Sequence, residues 1–135
     1  MPKIRKFPTS NEIPNNFSGE AYCLKQGAKV WFKNGVLHRE NGPALVYIAR
    51  GIKIWFQNGK MHRKDKPAIK TPTKLEWCWK GNTSRLDGPA VIWFNSEGKI
   101  VSKTFSIDKM WFTEEEYWEH PLVLKHKLNK ILKQL

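Results

Sequence analysis

Residues 31–44, WFKNGVLHRENGPA, align without a gap on residues 55–68, WFQNGKMHRKDKPA, and again on residues 77–90, WCWKGNTSRLDGPA. A chain that repeats itself at spacings of 24 and then 22 residues is restricted to repeated supersecondary units, each burying apolar surface against its neighbours. Five columns are invariant across the three copies: Trp31/Trp55/Trp77, Gly35/Gly59/Gly81, Arg39/Arg63/Arg85, Pro43/Pro67/Pro89 and Ala44/Ala68/Ala90. His38 and His62 match each other, and the third copy carries Ser84 there. Before the first copy, Gly27 falls in the column of Gly51. After the third, residues 93–105 end in another hairpin-like piece, so the repeated region spans 17–105.

The punctuation of one repeat predicts its shape. Asn34-Gly35 and Asn58-Gly59 are type I′ hairpin signals, because both central residues of that turn need positive φ. β-formers flank them, Val30-Trp31-Phe32 before and Val36-Leu37 after. Asn41-Gly42-Pro43 makes a second turn, since proline fixes φ and cannot donate to a ladder. Residues 44–48 then return as a strand, and Arg50-Gly51 leads into Lys53-Ile54-Trp55-Phe56 of the next unit. The expected fold is mainly β: a meander of short antiparallel hairpin repeats with a C-terminal α-helical cap.

The W-x-x-x-G-x-x-H pattern followed by G-P-A resembles the MORN repeat, in the variant seen in YwqK-type antitoxin-like proteins. The resemblance covers about two-thirds of the chain, with His-Arg (His38-Arg39, His62-Arg63) where the family usually has His-Gly. It implies a single-layer or weakly curved β-hairpin array, used for protein or lipid interaction and seldom for catalysis.

The ends differ from the middle. Residues 1–16 carry Lys3, Arg5 and Lys6 against Glu12, with Pro2, Pro8 and Pro14, and read as an irregular basic arm without the apolar stretch of a secretory signal. In residues 106–135, Thr113 and Glu116 form a capping box, and Pro121 suits the first turn of a second helix. From there Leu124, Leu128, Ile131 and Leu135 fall on one face, widened by Leu132. Lys125, Lys127, Lys130 and Lys133 fall elsewhere, with no acid after Glu119. The expected role of this amphipathic helix is to cover an end or face of the sheet, or to dock a partner through its lysines.

Charge directs the functional reading. The 135 residues hold 24 Lys and Arg against 12 Asp and Glu, a net charge of +12, and the excess extends through the repeats. A basic surface interleaved with aromatics suits a polyanion, whose condensed counterions are released on binding. The guanidiniums of Arg39, Arg63 and Arg85 would grip phosphate as a ladder, with His38, His62, Lys33, Lys53 and Lys80 beside them. Trp31, Trp55 and Trp77 would stack bases. The bland alternatives are that each arginine locks its own turn through Asp65, Asp87 or Asn41, that the histidines bond turns, and that the indoles are core.

The remaining classes fall away on chemistry. Two histidines with a serine in the third column do not make a zinc set, and no cofactor motif occurs. No G-x-S-x-G, P-loop, H-E-x-x-H or G-x-G-x-x-G sequence is present, so no catalytic residues are assigned and an enzyme is not expected. No apolar stretch is long enough to span a membrane. Cys23 and Cys78, lacking any C-x-x-C pairing, read as free thiols of a cytoplasmic protein. The expected function is a non-enzymatic module that sequesters nucleic acid or a phosphate-bearing nucleotide. The alternative is an inhibitor- or antitoxin-like module docking on an acidic protein. Two sheet ends and one terminal helix also leave room for a sheet-edge homodimer.

Overall fold

The computed structural model describes residues 4–135. The expected meander is present: antiparallel hairpins follow one another along a mainly β chain that ends in helix. In order, the strands are β1 (Arg5–Phe7), β2 (Gly19–Cys23), β3 (Ala28–Lys33), β4 (Val36–Leu37), β5 (Leu45–Tyr47), β6 (Ile52–Ile54), β7 (Phe56–Gln57) and β8 (Lys60–Met61). There follow β9 (Ile69–Thr71), β10 (Lys74–Glu76), β11 (Cys78–Trp79), β12 (Asn82–Thr83), β13 (Val91–Phe94), β14 (Ile100–Ile107) and β15 (Met110–Phe112). The main sheet runs β1-β2-β3-β5-β6-β9-β10-β13-β14-β15, with β4 beside β3. The short hairpins β7–β8 and β11–β12 stand off it as separate ribbons.

Four turns confirm the hairpin chemistry and extend it. Positive φ at both central residues occurs at Asn34-Gly35, Asn58-Gly59, Lys80-Gly81 and Asp108-Lys109, the geometry of a type I′ turn. The last of these lacks both asparagine and glycine. It belongs to the β14–β15 hairpin, so the repeat pattern runs on past residue 105, with Phe105 standing three residues before the turn where the earlier copies have tryptophan. At Gly35 the turn is also crowded: a Cβ there would lie 1.8 Å from the Asn15 carbonyl oxygen.

The N-terminal arm is not irregular throughout. Arg5–Phe7 pairs in parallel with β2, and Phe7 packs edge-on against Phe17 at 5.6 Å. These two rings, with Ala21, Cys23, Ala28 and Val30, bury one face of the sheet at its first end. A shallow apolar face is the reason: without Phe7 and Phe17 over it, the small residues of β2 and β3 would meet water. Pro2 and Lys3 of the expected arm lie outside the described residues.

At the far end, α1 (Glu114–Trp118) begins with the expected capping box, Thr113 and Glu116 each satisfying the other's backbone N–H. Its Tyr117 is fully buried against Phe105, and α2 (Pro121–Lys133) contributes Val123 to the same cluster. The helices cover this end of the sheet as expected, but not with the leucine face. Leu124, Leu128, Ile131 and Leu132 are all more than half exposed, as is Leu135 just past the helix end, so the leucine face of α2 points away from the sheet. Tyr117 and Phe112 already fill the hollow beside Phe105, and α2 is held instead through Val123 and a 3.1 Å ion pair from Lys130 to Asp87.

Candidate anion-binding face

Each invariant arginine is engaged within its own repeat. Arg39, Arg63 and Arg85 lie over the rings of Trp31, Trp55 and Trp77, with the guanidinium carbon 3.9, 3.9 and 3.8 Å from the ring centroid. Each Nη1 donates to the carbonyl of the proline four residues on, Pro43, Pro67 and Pro89, at 3.2, 3.1 and 3.0 Å. A cation held over an indole face and a turn carbonyl at once clamps strand to turn. Gly42 and Gly88 leave the room: a Cβ on either would come within 2.9 Å of the arginine Cζ. The turn carboxylates contribute once only. Arg85 bonds Asp87 at 2.9 Å, while among the described residues Arg63 and Asp65 make no ion pair and Arg39 does not bond Asn41. Burial of Asp87 works to raise its pKa, but the hydrogen bonds from Arg85 and Lys130 outweigh it and hold the carboxyl below the usual range.

The tryptophans therefore offer no free ring face on the arginine side. Their backbones are also fixed: Trp31, Trp55 and Trp77 each donate an N–H, at 2.8 Å, to Ala44, Ala68 and Ala90, three alanines with no exposed surface. The more exposed indoles are elsewhere, at Trp79, Trp93, Trp111 and Trp118.

The histidine column stitches one repeat to the next. His38 Nδ1 accepts the N–H of Asn58 at 2.9 Å, and His62 Nδ1 accepts that of Lys80 at 3.0 Å. The Ser84 hydroxyl takes the N–H of Asp108 in the same way, and Ser18 takes that of Asn34. One acceptor per repeat thus receives the first N–H of the next turn, and serine serves as well as histidine. Burial, with Lys80 nearby, lowers the His62 pKa. A protonated Nδ1 could not accept, so folding favours the neutral ring, and the unfolded chain takes up the proton first as pH falls. Stability from His62 is thus complete above its ordinary pKa of about 6.5 and is lost as pH drops through the folded value. Thermal melts should show this loss in the native chain and a flatter profile in His62→Ser.

What the arginines do not leave free, a row of lysines supplies. The strand pairings place Lys6 opposite Tyr22, Tyr22 opposite Lys29, Lys29 opposite Val46 and Val46 opposite Lys53. They continue through Lys70, Leu75 and Ile92 to Lys103. Directly paired residues share a sheet face, so five lysines and four uncharged residues form one unbroken cross-strand line without a carboxylate. At a strand spacing of about 4.8 Å, Lys29 and Lys103, six strands apart, are about 29 Å from one another. Lys53 stands opposite Lys70, an unfavourable like-charge pair. Within β3, Trp31 lies two residues on from Lys29 and so shares this face.

Of the sequence-predicted lysines, Lys53 belongs to this row. Lys33 lies at the end of β3 opposite Val36, and Lys80 sits in a hairpin turn, both exposed but outside it. Lys125, Lys127 and Lys133 are exposed on α2. Sequence reasoning missed Lys29, Lys70 and Lys103 as a group. Lys29 and Lys53 occupy one repeat column and Val46 and Lys70 another, and a register was needed to show that the two columns merge into one line.

The remaining chemistry is quiet. Cys23 and Cys78 are free and buried, and burial, with Glu76 adding to it, pushes the Cys78 thiol up to about 12. No cluster of three metal-ligating side chains occurs among the described residues, and no helix among them is long and apolar enough to cross a membrane. No family model, curated protein or solved structure matches the chain.

Proposed function

We propose that this chain is a non-enzymatic, MORN-like repeat module that binds an extended nucleic-acid strand along the lysine-bearing face of its sheet and acts by occupancy. The observation that carries the reading is the cross-strand row Lys29–Lys53–Lys70–Lys103, aligned by register and free of carboxylates. A line of about 29 Å suits a run of phosphates better than one nucleotide. Placing Lys53 against Lys70 costs the sheet stability, and a bound phosphate between them would remove that cost. The arginines are already spent on their indoles and turn carbonyls, so phosphate contact falls mainly to the lysines. Both free thiols are buried, which fits a reducing, cytoplasmic setting.

The test is a salt titration with a fluorescein-labelled single-stranded oligonucleotide, comparing the native chain with the quadruple variant Lys29→Gln, Lys53→Gln, Lys70→Gln, Lys103→Gln. Glutamine keeps the strand and most of the stem while removing the charge. Four lost phosphate contacts should flatten the slope of log K against log salt by about 3 units, at about 0.7 per contact. An unchanged slope, or equal binding of polyglutamate, would overturn the reading.

A further inference from the structure

The leucine face of α2 is an apolar surface that the fold leaves uncovered. Leu124, Leu128 and Ile131 follow one another at spacings of four and three residues, the seam of a heptad repeat, and Leu135 continues the spacing just past the end of α2. They are 51, 54, 51 and 95% exposed, with Leu132 beside them at 55%. The opposite side is spoken for: Val123 is buried, and Lys130, seven residues on, pairs with Asp87. A seam this apolar, turned outward from an anchored helix, marks an interaction surface.

Its flanks say what covers it. On either side of Leu124 and Leu128 stand Lys125 and Lys127, in the two positions whose charges face a partner helix across a seam. No acid occurs anywhere after Glu119. Two copies of α2 would set lysine against lysine, which selects against self-pairing, whereas glutamates on a partner helix would meet both lysines. We infer that α2 docks an amphipathic helix of an acidic partner protein, its leucine seam against the partner's apolar stripe and Lys125 and Lys127 against the partner's carboxylates. This surface is separate from the lysine row on the sheet and does not depend on it.

The experiment uses the full chain and two synthetic helical peptides that share one leucine/isoleucine seam, one flanked by glutamate and one by lysine. Fluorescence anisotropy should show the glutamate peptide binding at least about 10-fold more tightly than the lysine peptide, by charge complementarity. The double variant Leu124→Gln, Leu128→Gln should abolish that binding while thermal melting and helical circular dichroism stay nearly unchanged, because both side chains are more than half exposed and belong to none of the buried clusters. The quadruple lysine-to-glutamine variant of the sheet should bind the glutamate peptide as the native chain does, so failure of the nucleic-acid reading would leave this one standing. Three results would each overturn the inference: no preference between the peptides, a dimer in sedimentation equilibrium that the leucine substitutions dissociate, or binding to phosphatidylserine vesicles without binding to the glutamate peptide.

Discussion

Replacing Tyr117 with alanine is expected to destabilise the chain by about 3–5 kcal/mol, the range for deleting a buried aromatic ring. The side chain has no exposed surface and packs on Phe105 with ring centroids 4.8 Å apart. Its hydroxyl closes the third repeat: it donates to the Arg85 carbonyl and accepts the Gly88 N–H at 3.1 Å. Tyr117 thus joins α1 to the turn that Arg85 clamps. The variant Tyr117→Phe separates ring from hydroxyl. It keeps the packing and strands the Gly88 N–H, at a cost of about 1–3 kcal/mol. Urea unfolding followed by circular dichroism should rank the chains native, Tyr117→Phe, Tyr117→Ala, with helix lost first in the last of them. Equal midpoints for the two variants would mean that the ring contributes nothing beyond the hydroxyl's two hydrogen bonds.

How far the sequence announced this depended on whether a feature was local. The Asn-Gly turns, the Thr113–Glu116 capping box and the proline opening α2 are local and were legible, because the residues that specify them are also the residues that form them. The direction of the α2 leucine face was not legible. An amphipathic pattern says that one face is apolar, and only tertiary packing says whether the fold has a place for it. The arginines were half legible: a residue repeated three times was expected to define the repeat, but the shared clamp runs to an indole eight residues back and a carbonyl four on, and a nearby acid joins it only at Arg85. The lysine row was hidden for another reason. Its members come from two repeat columns, joined by pairings such as Val46 to Lys53 that no single repeat reveals. Ser18 and Ser84 in the histidine column were equally hard to recognise, since what is kept there is an acceptor at one place and not a residue type.

Exchanging Arg39, Arg63 and Arg85 together for lysine should separate scaffold from ligand site. Lysine keeps the charge, but an ammonium has no flat face to lay on an indole and reach the proline carbonyl at the same time. Each site loses a stacked cation and one charge-assisted hydrogen bond, about 1–2 kcal/mol together after solvent replaces part of both. Three sites far enough apart to add then give a loss of about 3–6 kcal/mol, a large part of the stability of a domain this size. The thermal midpoint should fall accordingly, and each single variant should show about a third of the effect. Affinity for a single-stranded oligonucleotide, measured well below the lowered midpoint, should stay within about threefold of the native value, because the lysine row and the net charge are intact. The opposite pattern, an unchanged midpoint with binding lost, would return the phosphate contacts to the arginines and leave the lysines of the sheet as solvated charge. The two readings differ in a single physical respect: whether a guanidinium already committed to an indole and a turn carbonyl retains enough free donor geometry to hold a phosphate. Arg39 and Arg63, which among the described residues are bonded through Nη1 alone, are the positions where single substitutions would reveal such a residue of function.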